Sequence, residues 1–221
     1  MTTIREQENK LFERWKNNCE NFIPDGVVAE TMWNTATRKI LFLLREVNDC
    51  PAGFDERDYL KYYFDPEHKY MHSPTIDNLI LWAYGIQALP NFISWSEVEK
   101  NAYASNILES VALVNIKKTS GGGTVDWDNF DKYFSAASNR EYIKEQLQIY
   151  KPDIVICGGT AYYLSCLYPD KFNEANWKIT SRGIRYIKNK NTVYIDYKHP
   201  NIRAPRNIMY YALMDTINEI I

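Results

Sequence analysis

Long apolar runs are missing from this chain of 221 residues, and so are closely paired cysteines and a basic charge balance. No stretch approaches the roughly 20 apolar residues that a membrane-spanning helix needs, so a membrane protein is not expected. The N-terminus, Met1 to Glu6, lacks the apolar core of a signal peptide, which predicts a cytoplasmic protein. The sequence also contains no internal repeat, low-complexity tract or long linker. Because its length suits one core, we expect a single domain over residues 1–221.

The cysteines are few and widely spaced. They are Cys19, Cys50, Cys157 and Cys166. The absence of a Cys-x-x-Cys pair argues against a zinc site and against the disulfide framework of a secreted protein. Cys157 lies in an apolar run, where a buried, inert thiol is expected. His68 and His72 have the i, i+4 spacing of a helical metal pair, but the Glu that the zinc-protease motif requires is missing and prolines crowd the segment. We expect neither a metal nor an organic cofactor.

Short apolar runs predict strands that are buried on both faces of a sheet. These runs cover residues 39–44, 111–114 and 153–157, and a further strand-like run covers 192–195. Helical segments are predicted over residues 4–22, 74–86, 96–108, 138–150 and 204–221. This alternation predicts an α/β domain with a central, mainly parallel sheet flanked by helices, in which residues 1–38 form a helical N-terminal cover.

Polar residues follow the apolar runs, at the end where open α/β sheets bind ligands. Arg45-Glu46-Val47-Asn48-Asp49 follows the first run, and Asn115-Ile116-Lys117-Lys118 follows the second, before a triple glycine. The third run ends in Gly158-Gly159-Thr160-Ala161, a turn that allows close backbone approach and leaves helix N–H groups pointing outward. These residues either form a site or are merely solvated or ion-paired at the strand ends.

A histidine lies in a stiff, basic turn near the end of the chain. The turn, Tyr197-Lys198-His199-Pro200-Asn201-Ile202-Arg203, separates the fourth run from the last predicted helix. Pro200 has a fixed φ and no N–H, so the His199 imidazole is expected to point in a defined direction, as a site residue does. A surface histidine in a loop is the alternative interpretation.

In order and content these four motifs resemble the uracil-DNA glycosylase superfamily. In that family an apolar strand leads into a short catalytic motif and a later strand ends in an asparagine that reads the pyrimidine edge. A third strand leads to a Gly-rich turn, and a His-Pro-Ser-like loop lies near the C-terminus. The resemblance covers residues 39–221. It departs in the first motif, which usually begins with Gly and has Asp, Asn or Ala two residues later, followed by Pro. This chain has Arg45, Val47 and Asn48 at those positions.

The resemblance implies a DNA glycosylase that hydrolyses the bond between a damaged or modified pyrimidine and its sugar, with uracil as the default base. His199 would donate a hydrogen bond to the departing base, and a carboxylate or oriented water would act at the sugar. Glu46 is the preferred carboxylate because it matches a Glu of some branches. Asp49 is second, and Asn48 third. Asn115 would bind the Watson–Crick edge, since its amide carries both a donor and an acceptor.

Other side chains would hold the extruded base and fill the gap that it leaves. Phe54, Tyr63 or Phe64 would stack on the base, although structural packing is the alternative role for each of them. Ile202 or Arg203, just past the His-Pro turn, would enter the gap in the duplex.

The formal net charge of −2 counts against nucleic acid as a partner, because phosphate neutralisation normally needs a basic face. Cations do concentrate in the last third of the chain, although a solvated face of mixed charge would give the same pattern. The backbone of Gly158 and Gly159 and the hydroxyl of Thr160 would bind phosphate. The predicted DNA-binding residues are Lys117, Lys118, Gly158, Gly159, Thr160, Lys198, Asn201, Ile202, Arg203 and Arg206.

Alternative functions stay open at this point. A glycosylase for hypermodified cytosine in phage DNA, with a role in antiviral defence, would use the same chemistry. A catalytically silent module that binds nucleic acid or nucleotides would keep the fold and lose the first motif. A small-molecule nucleoside hydrolase would not need the basic C-terminal region. For the main hypothesis the expected partner is DNA and the expected state is a monomer.

Overall fold

Among the residues that the structure describes, one mixed sheet of seven strands forms the centre of the fold. A computed structural model gives the structure of residues 2–51, 53–65 and 73–221. The strands are β1 (Gly26–Val27), β2 (Ile40–Leu44), β3 (Val111–Asn115), β4 (Ile154–Gly158), β5 (Lys178–Ile179), β6 (Arg185–Asn189) and β7 (Thr192–Tyr197). They lie in the order β1-β3-β2-β4-β7-β6-β5. The central strands β3, β2, β4 and β7 are parallel, whereas β1, β6 and β5 pair antiparallel with their neighbours. The predicted α/β class with a mainly parallel centre is confirmed.

Helices cover both faces of this sheet. They are α1 (Ile4–Lys16), α2 (Glu30–Thr35), α3 (Glu56–Lys61), α4 (Pro74–Ala88), α5 (Trp95–Asn101), α6 (Trp127–Ser135), α7 (Ala137–Tyr150), α8 (Ala161–Leu167) and α9 (Arg206–Ile220). Short 3-10 turns cover Ala102–Ala104, Ile107–Ser110 and Glu174–Asn176. Within the described ranges, no helix is both long enough and apolar enough to cross a membrane.

The central strands are continuous apolar runs because helices bury them from both sides. Every residue of β2, β3 and β4 is buried. Successive side chains point to opposite faces, so Phe42 packs in one core with Trp82 and Leu213, and Leu41 packs in the other with Trp15. Burying one such side chain stabilises the fold by roughly 1.5–3 kcal/mol, so the two cores hold the strand ends firmly.

The four predicted strands are confirmed, with small shifts at their ends, and two helix predictions were too long. The helix predicted over residues 4–22 ends at Lys16. Residues 17–25 turn back toward the sheet, where the N–H of Ile23 donates to the carbonyl of Lys118 at 2.7 Å. The helix predicted over 96–108 ends at Asn101 and gives way to 3-10 turns. Residues 1–38, predicted to be a helical cover, also contribute β1 to the sheet.

Candidate functional site

Residues from all four sequence motifs lie along one edge of the sheet. Because β2, β3, β4 and β7 are parallel, their carboxyl ends lie side by side. Glu46 follows β2, Asn115 ends β3, Gly158 ends β4, and His199 follows β7. The motifs therefore occupy the edge at which open α/β sheets bind ligands.

The first motif is paired with the loop after β3 by backbone hydrogen bonds that continue beyond the strands. The N–H of Lys117 donates to the carbonyl of Arg45 at 2.8 Å, and the N–H of Gly121 donates to the carbonyl of Val47 at 2.7 Å. Farther along, the N–H of Asp49 donates to the carbonyl of Gly121 at 2.9 Å. We call these two segments, residues 45–50 and 116–121, the paired loops.

A buried ion pair joins the paired loops. Nζ of Lys117 lies 2.5 Å from Oε2 of Glu46, and the two side chains are only 3% and 1% exposed. The second carboxylate oxygen, Oε1 of Glu46, is buried and has no hydrogen-bond partner within the described ranges. A buried acceptor without a donor is costly, so this oxygen is the position where a water or a ligand donor would bind most favourably.

Gly121 leaves the room that the Glu46 carboxylate occupies. A Cβ at this position would lie 2.4 Å from Oε1 and 2.5 Å from Cδ of Glu46, well inside contact distance. The triple glycine of the sequence therefore has a specific steric role at its first residue. The next two glycines have more room: a Cβ on Gly123 would meet no atom within 4 Å.

We predict that Gly121→Ala lowers the free energy of unfolding by about 1–3 kcal/mol, because the added methyl group displaces a packed, ion-paired carboxylate. Gly123→Ala is the matched control and should stay within about 0.5 kcal/mol of the parental protein. Urea denaturation of the two variants measures the difference. Equal stabilities would mean that Glu46 moves aside without cost.

The other two polar residues of the first motif face outward. Asn48 and Asp49 are both exposed, and Asp49 has a left-handed backbone with a φ of 50°. Of the carboxylates that the sequence offered in this motif, Glu46 is the one enclosed by the paired loops. The preference for Glu46 over Asp49 therefore gains a geometric reason.

The His-Pro turn fixes the His199 ring through its own backbone. The N–H of Asn201 donates to Nδ1 of His199 at 3.1 Å, and the N–H of Ile202 donates to the His199 carbonyl at 3.0 Å. Helix α4 contacts the turn, since Nδ2 of Asn78 donates to the carbonyl of Pro200 at 2.6 Å. Because Nδ1 accepts a hydrogen bond, the neutral imidazole carries its proton on Nε2, which is then a donor.

The surroundings of His199 keep its ring neutral. Burial first, and then the positive charge of Arg45, lower the pKa of His199 to about 4. The Arg45 guanidinium lies 5.4 Å from the ring centroid of Trp127, which itself is 50% exposed. At neutral pH the site thus combines a neutral N–H donor with a nearby cation, a combination suited to a group that gains negative charge.

The Gly-rich turn after β4 serves the His-Pro turn rather than a free anion site. A Cβ on Gly158 would lie 2.5 Å from Cδ2 of Leu44 and 3.2 Å from Cδ of Pro200, so glycine permits the close packing of β2 and of the His-Pro turn against this position. The N–H of Gly159 donates to backbone carbonyls, at 2.8 Å to Tyr197. The Thr160 hydroxyl is buried and donates to the carbonyl of Leu43 at 2.7 Å. The phosphate contacts predicted for Gly159 and Thr160 therefore lack free donors in this structure.

Three of the cations predicted to bind DNA are instead paired with carboxylates. Lys117 is buried against Glu46, and Lys118 is buried against Asp25, with Nζ 2.6 Å from Oδ1. Arg206 is partly exposed and donates to Oδ2 of Asp77 at 2.7 Å. The lysines cannot reach a phosphate backbone from their buried positions, and the charge of Arg206 is partly neutralised.

The His-Pro turn itself keeps a solvent-facing set of predicted DNA contacts. Lys198, Asn201, Ile202 and Arg203 are all exposed, and Ile202 is 38% exposed. The turn therefore presents two cations and one exposed aliphatic side chain to solvent.

Asn115 is enclosed by carboxylates at the end of β3. It is 2% exposed, and its Nδ2 donates to Oε2 of Glu56 at 2.6 Å. Its backbone N–H donates to Oδ2 of Asp25 at 2.7 Å. Because Glu56 and Asp25 enclose Asn115, a base can reach its side-chain amide only after the enclosing residues move. No local pattern indicates Glu56, which belongs to the site through its contact with Asn115, 59 positions away in the chain.

The aromatic residues that were predicted to stack on a base pack mainly against other aromatic rings. Phe54 lies 5.4 Å from Tyr59, and Phe64 lies 5.2 Å from Tyr63, measured between ring centroids. Phe64 also lines a pocket of about 260 Å³ together with Asn106 and Glu109, which precede β3. That pocket is therefore on the amino side of β3, away from His199. A second pocket, of about 350 Å³, borders the paired loops at Cys50 and Ser120.

The four cysteines carry free thiols, and Cys157 is buried in β4 as predicted. Among the described residues, no three side chains of His, Cys, Asp or Glu converge in a set that could hold a metal ion. His68 and His72, discussed above as a metal pair, lie outside the described residues.

A scan against protein-family models and a search of curated proteins found no match to this chain. Functional assignment therefore depends on the site itself. No site role was predicted for Arg45, Glu56 or Gly121, although Arg45 and Gly121 lie in segments that follow strands, where a ligand site is expected.

Proposed function

We propose that this protein is a DNA glycosylase that hydrolyses the N-glycosidic bond of a damaged or modified pyrimidine, with uracil as the default base. The observation that carries the proposal is the neutral His199, whose Nδ1 accepts from the N–H of Asn201 and whose Nε2–H donates to none of the described residues. It shares one sheet edge with Glu46, a buried carboxylate with one unpartnered oxygen.

The chemistry of base removal needs these two kinds of group. The leaving base develops negative charge, and the sugar becomes an oxocarbenium-like cation. The Nε2–H of His199 would donate to the base oxygen on which charge develops, while Arg45 adds a stabilising positive potential. The Glu46 carboxylate would stabilise the sugar cation or orient the attacking water through Oε1. No step requires a metal or an organic cofactor.

The site is closed in this structure, and the proposal includes its opening. The side chains of Glu46 and Asn115 are almost inaccessible. The residues that enclose these two side chains would therefore have to move before a nucleotide could reach either of them. Closure around a bound base would then exclude water and strengthen each electrostatic contact. The order of the four motifs along the sheet edge supports a relationship to the uracil-DNA glycosylase superfamily, and we propose DNA as the partner of a monomeric enzyme.

A nucleic-acid-binding module without catalytic activity is the second candidate. One observation favours it: the Glu46 carboxylate is neutralised by Lys117 in a buried pair, which is also a common structural arrangement. The two candidates differ in chemistry rather than in DNA affinity.

Incubation of the protein with oligonucleotides that carry single uracil or modified pyrimidines separates the candidates. Alkali then cleaves any abasic site, and the products are resolved by length. Strand cleavage that depends on the base supports the glycosylase. Binding without cleavage across all bases would favour the silent module, and the absence of both would remove DNA as the partner.

The exposed His-Pro turn gives a prediction for DNA binding. The double variant Lys198→Ala/Arg203→Ala should weaken binding to DNA of any sequence and reduce the slope of log K against log salt by about 1–2, because each lost phosphate contact releases about one fewer counterion. Lys10→Ala/Lys100→Ala, which removes two exposed cations from α1 and α5, is the matched control. An unchanged slope in the first variant would place the DNA on another surface.

A further inference from the structure

A row of four aromatic rings has both of its ends exposed to solvent. It begins at Trp127, the first residue of α6, passes through Phe130 and Tyr163, and ends at Tyr162 in the first turn of α8. The centroids of neighbouring rings in this order lie 6.1, 5.2 and 5.5 Å apart. The two inner rings are buried, whereas Trp127 is 50% exposed and Tyr162 is 71% exposed. We call these four residues the aromatic row.

The aromatic row lies beside the candidate site. Tyr162 follows the Gly-rich turn of β4, and a Cβ on Gly159 in that turn would lie 4.0 Å from Cβ of His199. At the other end of the row, the guanidinium of Arg45, which follows β2, lies 5.4 Å from the ring centroid of Trp127. Both exposed rings are therefore next to segments that form the site.

Arg45 is a cation without a carboxylate partner. No ion pair among the described residues includes it. Its Nε is buried and has no hydrogen-bond partner within the described ranges. Lys117, Lys118 and Arg206 are, by contrast, paired with carboxylates. A partly buried guanidinium with an unpaired donor is a favourable position for an anion such as phosphate.

A nucleotide carries both of the groups that this surface would bind. Its base is a flat ring that stacks on an exposed aromatic side chain, and its phosphate is an anion that pairs with a guanidinium. In a duplex each base is stacked between its neighbours, so its face is not open to a protein ring. An exposed aromatic ring therefore favours the bases of an unpaired strand.

The charges around Trp127 determine on which side of the aromatic row a strand would lie. Asp128 and Asp131 of α6 are exposed and would repel phosphate. Arg45 is the cation that contacts the Trp127 ring. We therefore expect the phosphates to lie at Arg45 and the bases to face the aromatic row.

We infer that the aromatic row is a stacking platform for single-stranded DNA, in which Trp127 and Tyr162 bind bases next to the target nucleotide and Arg45 binds a phosphate. This inference rests on the proposed function, because it takes DNA as the partner. It adds the form of the substrate: an unpaired strand, from which a base is extruded without the loss of duplex pairing.

The variant Trp127→Leu tests the platform through DNA affinity. Fluorescence anisotropy of a labelled strand gives the affinities for an oligothymidylate and for a duplex of the same length. The parental protein should bind the single strand about 10-fold or more tightly than the duplex. Trp127→Leu should weaken single-strand binding by about 10-fold or more and change duplex binding little. Phe92→Leu is the matched control, because this ring is 47% exposed but packs on Tyr211 of α9 instead of in the row.

Tryptophan emission gives a second readout that needs no catalysis. Trp127 is the most exposed of the six tryptophans. A base stacked on its ring should quench its emission. Addition of the oligothymidylate should therefore quench the emission of the parental protein and of Phe92→Leu, and this quenching should be lost in Trp127→Leu.

The phosphate contact is tested by Arg45→Met, which removes the charge and keeps an unbranched side chain. For the single strand, the slope of log K against log salt should fall by about 0.7, because one phosphate contact is lost. The parental slope in this variant would remove Arg45 from the DNA contact.

The outcomes separate this inference from the proposed function. If the parental protein bound both forms of DNA equally, or if Trp127→Leu kept the parental affinity and quenching, the platform would be overturned while base excision could still be observed. If Trp127→Leu changed the oligomeric state in gel filtration and not the DNA affinity, the aromatic row would be a contact between copies of the chain. If the parental protein bound neither form of DNA, DNA would be removed as the partner, and the platform with it.

Discussion

Replacing His199 with alanine should lower the rate of base excision by about 100-fold or more, while DNA affinity stays close to the parental value. In the proposed mechanism the imidazole Nε2–H donates to the leaving base as negative charge develops on it, and removing one such preorganised donor costs enzymes about 100–1,000-fold in rate. Single-turnover excision with the enzyme in excess over a uracil-containing oligonucleotide measures the chemical step directly. Parental rates in a folded His199→Ala protein would remove His199 from the mechanism.

The variant His199→Gln tests whether a neutral N–H donor is sufficient for the reaction or whether the imidazole ring itself is needed. Glutamine retains a neutral N–H donor of similar reach, so this variant should retain more activity than His199→Ala. Both variants leave the exposed cations Lys198 and Arg203 in place, and DNA binding serves as the control for an intact turn.

The same residue gives a prediction about acid stability. The pKa of His199 falls from 6.5 to about 4 in the folded protein, so the unfolded chain binds the proton more readily between these values. Stability from the neutral ring is therefore complete above about pH 6.5 and is lost as pH falls toward 4. The parental protein should lose more thermal stability over this interval than His199→Gln does. If the melting temperatures of the parental protein and of His199→Gln fall equally over this pH interval, the His199 ring titrates normally.

Glu46→Gln should reduce the chemical step by on the order of 100-fold and leave the Kd for DNA nearly unchanged, because the amide keeps the shape of the side chain and removes its charge. The substitution also leaves Lys117 as a buried cation without its partner. Breaking one side of a buried ion pair typically costs about 3–5 kcal/mol, so part of any activity loss could come from unfolding.

The double variant Glu46→Gln/Lys117→Met resolves this ambiguity, since it removes both charges and should restore much of the stability. If Glu46 is catalytic, the double variant is folded, binds DNA and remains inactive. Asp49→Asn, an exposed carboxylate of the same motif, is the matched control and should change the rate little. A rate loss in Asp49→Asn alone would transfer the role to Asp49, and parental rates in every variant would favour the silent binding module.

The strands and their shared edge were predictable because the signals are local. An apolar run such as Ile40–Leu44 indicates a strand that is buried on both faces of the sheet. The polar residue that follows such a run lies at the carboxyl end of the strand, independently of the rest of the fold. The His-Pro turn was recognisable for the same reason, since Pro200 restricts its own backbone.

The burial of Lys117 and Lys118 was not predictable in this way. Two consecutive lysines after a strand indicate a solvated loop. Each instead meets a carboxylate that is distant in sequence: Glu46 is 71 positions away, and Asp25 is 93 positions away from Lys118. No local pattern indicates such distant partners. Lys117 and Lys118, which neutralise buried carboxylates, were therefore predicted to bind phosphate.

The two outermost strands, β1 and β5, are only two residues long. A sheet edge recruits a neighbouring chain through its row of free N–H and C=O groups, and short edges offer too few of them to align a second strand. The seven-stranded sheet is consequently a poor template for amyloid-like growth or strand exchange, even though its central strands are among the most apolar segments of the chain. Expression at high concentration should therefore be limited by the exposed side chains rather than by backbone pairing between molecules.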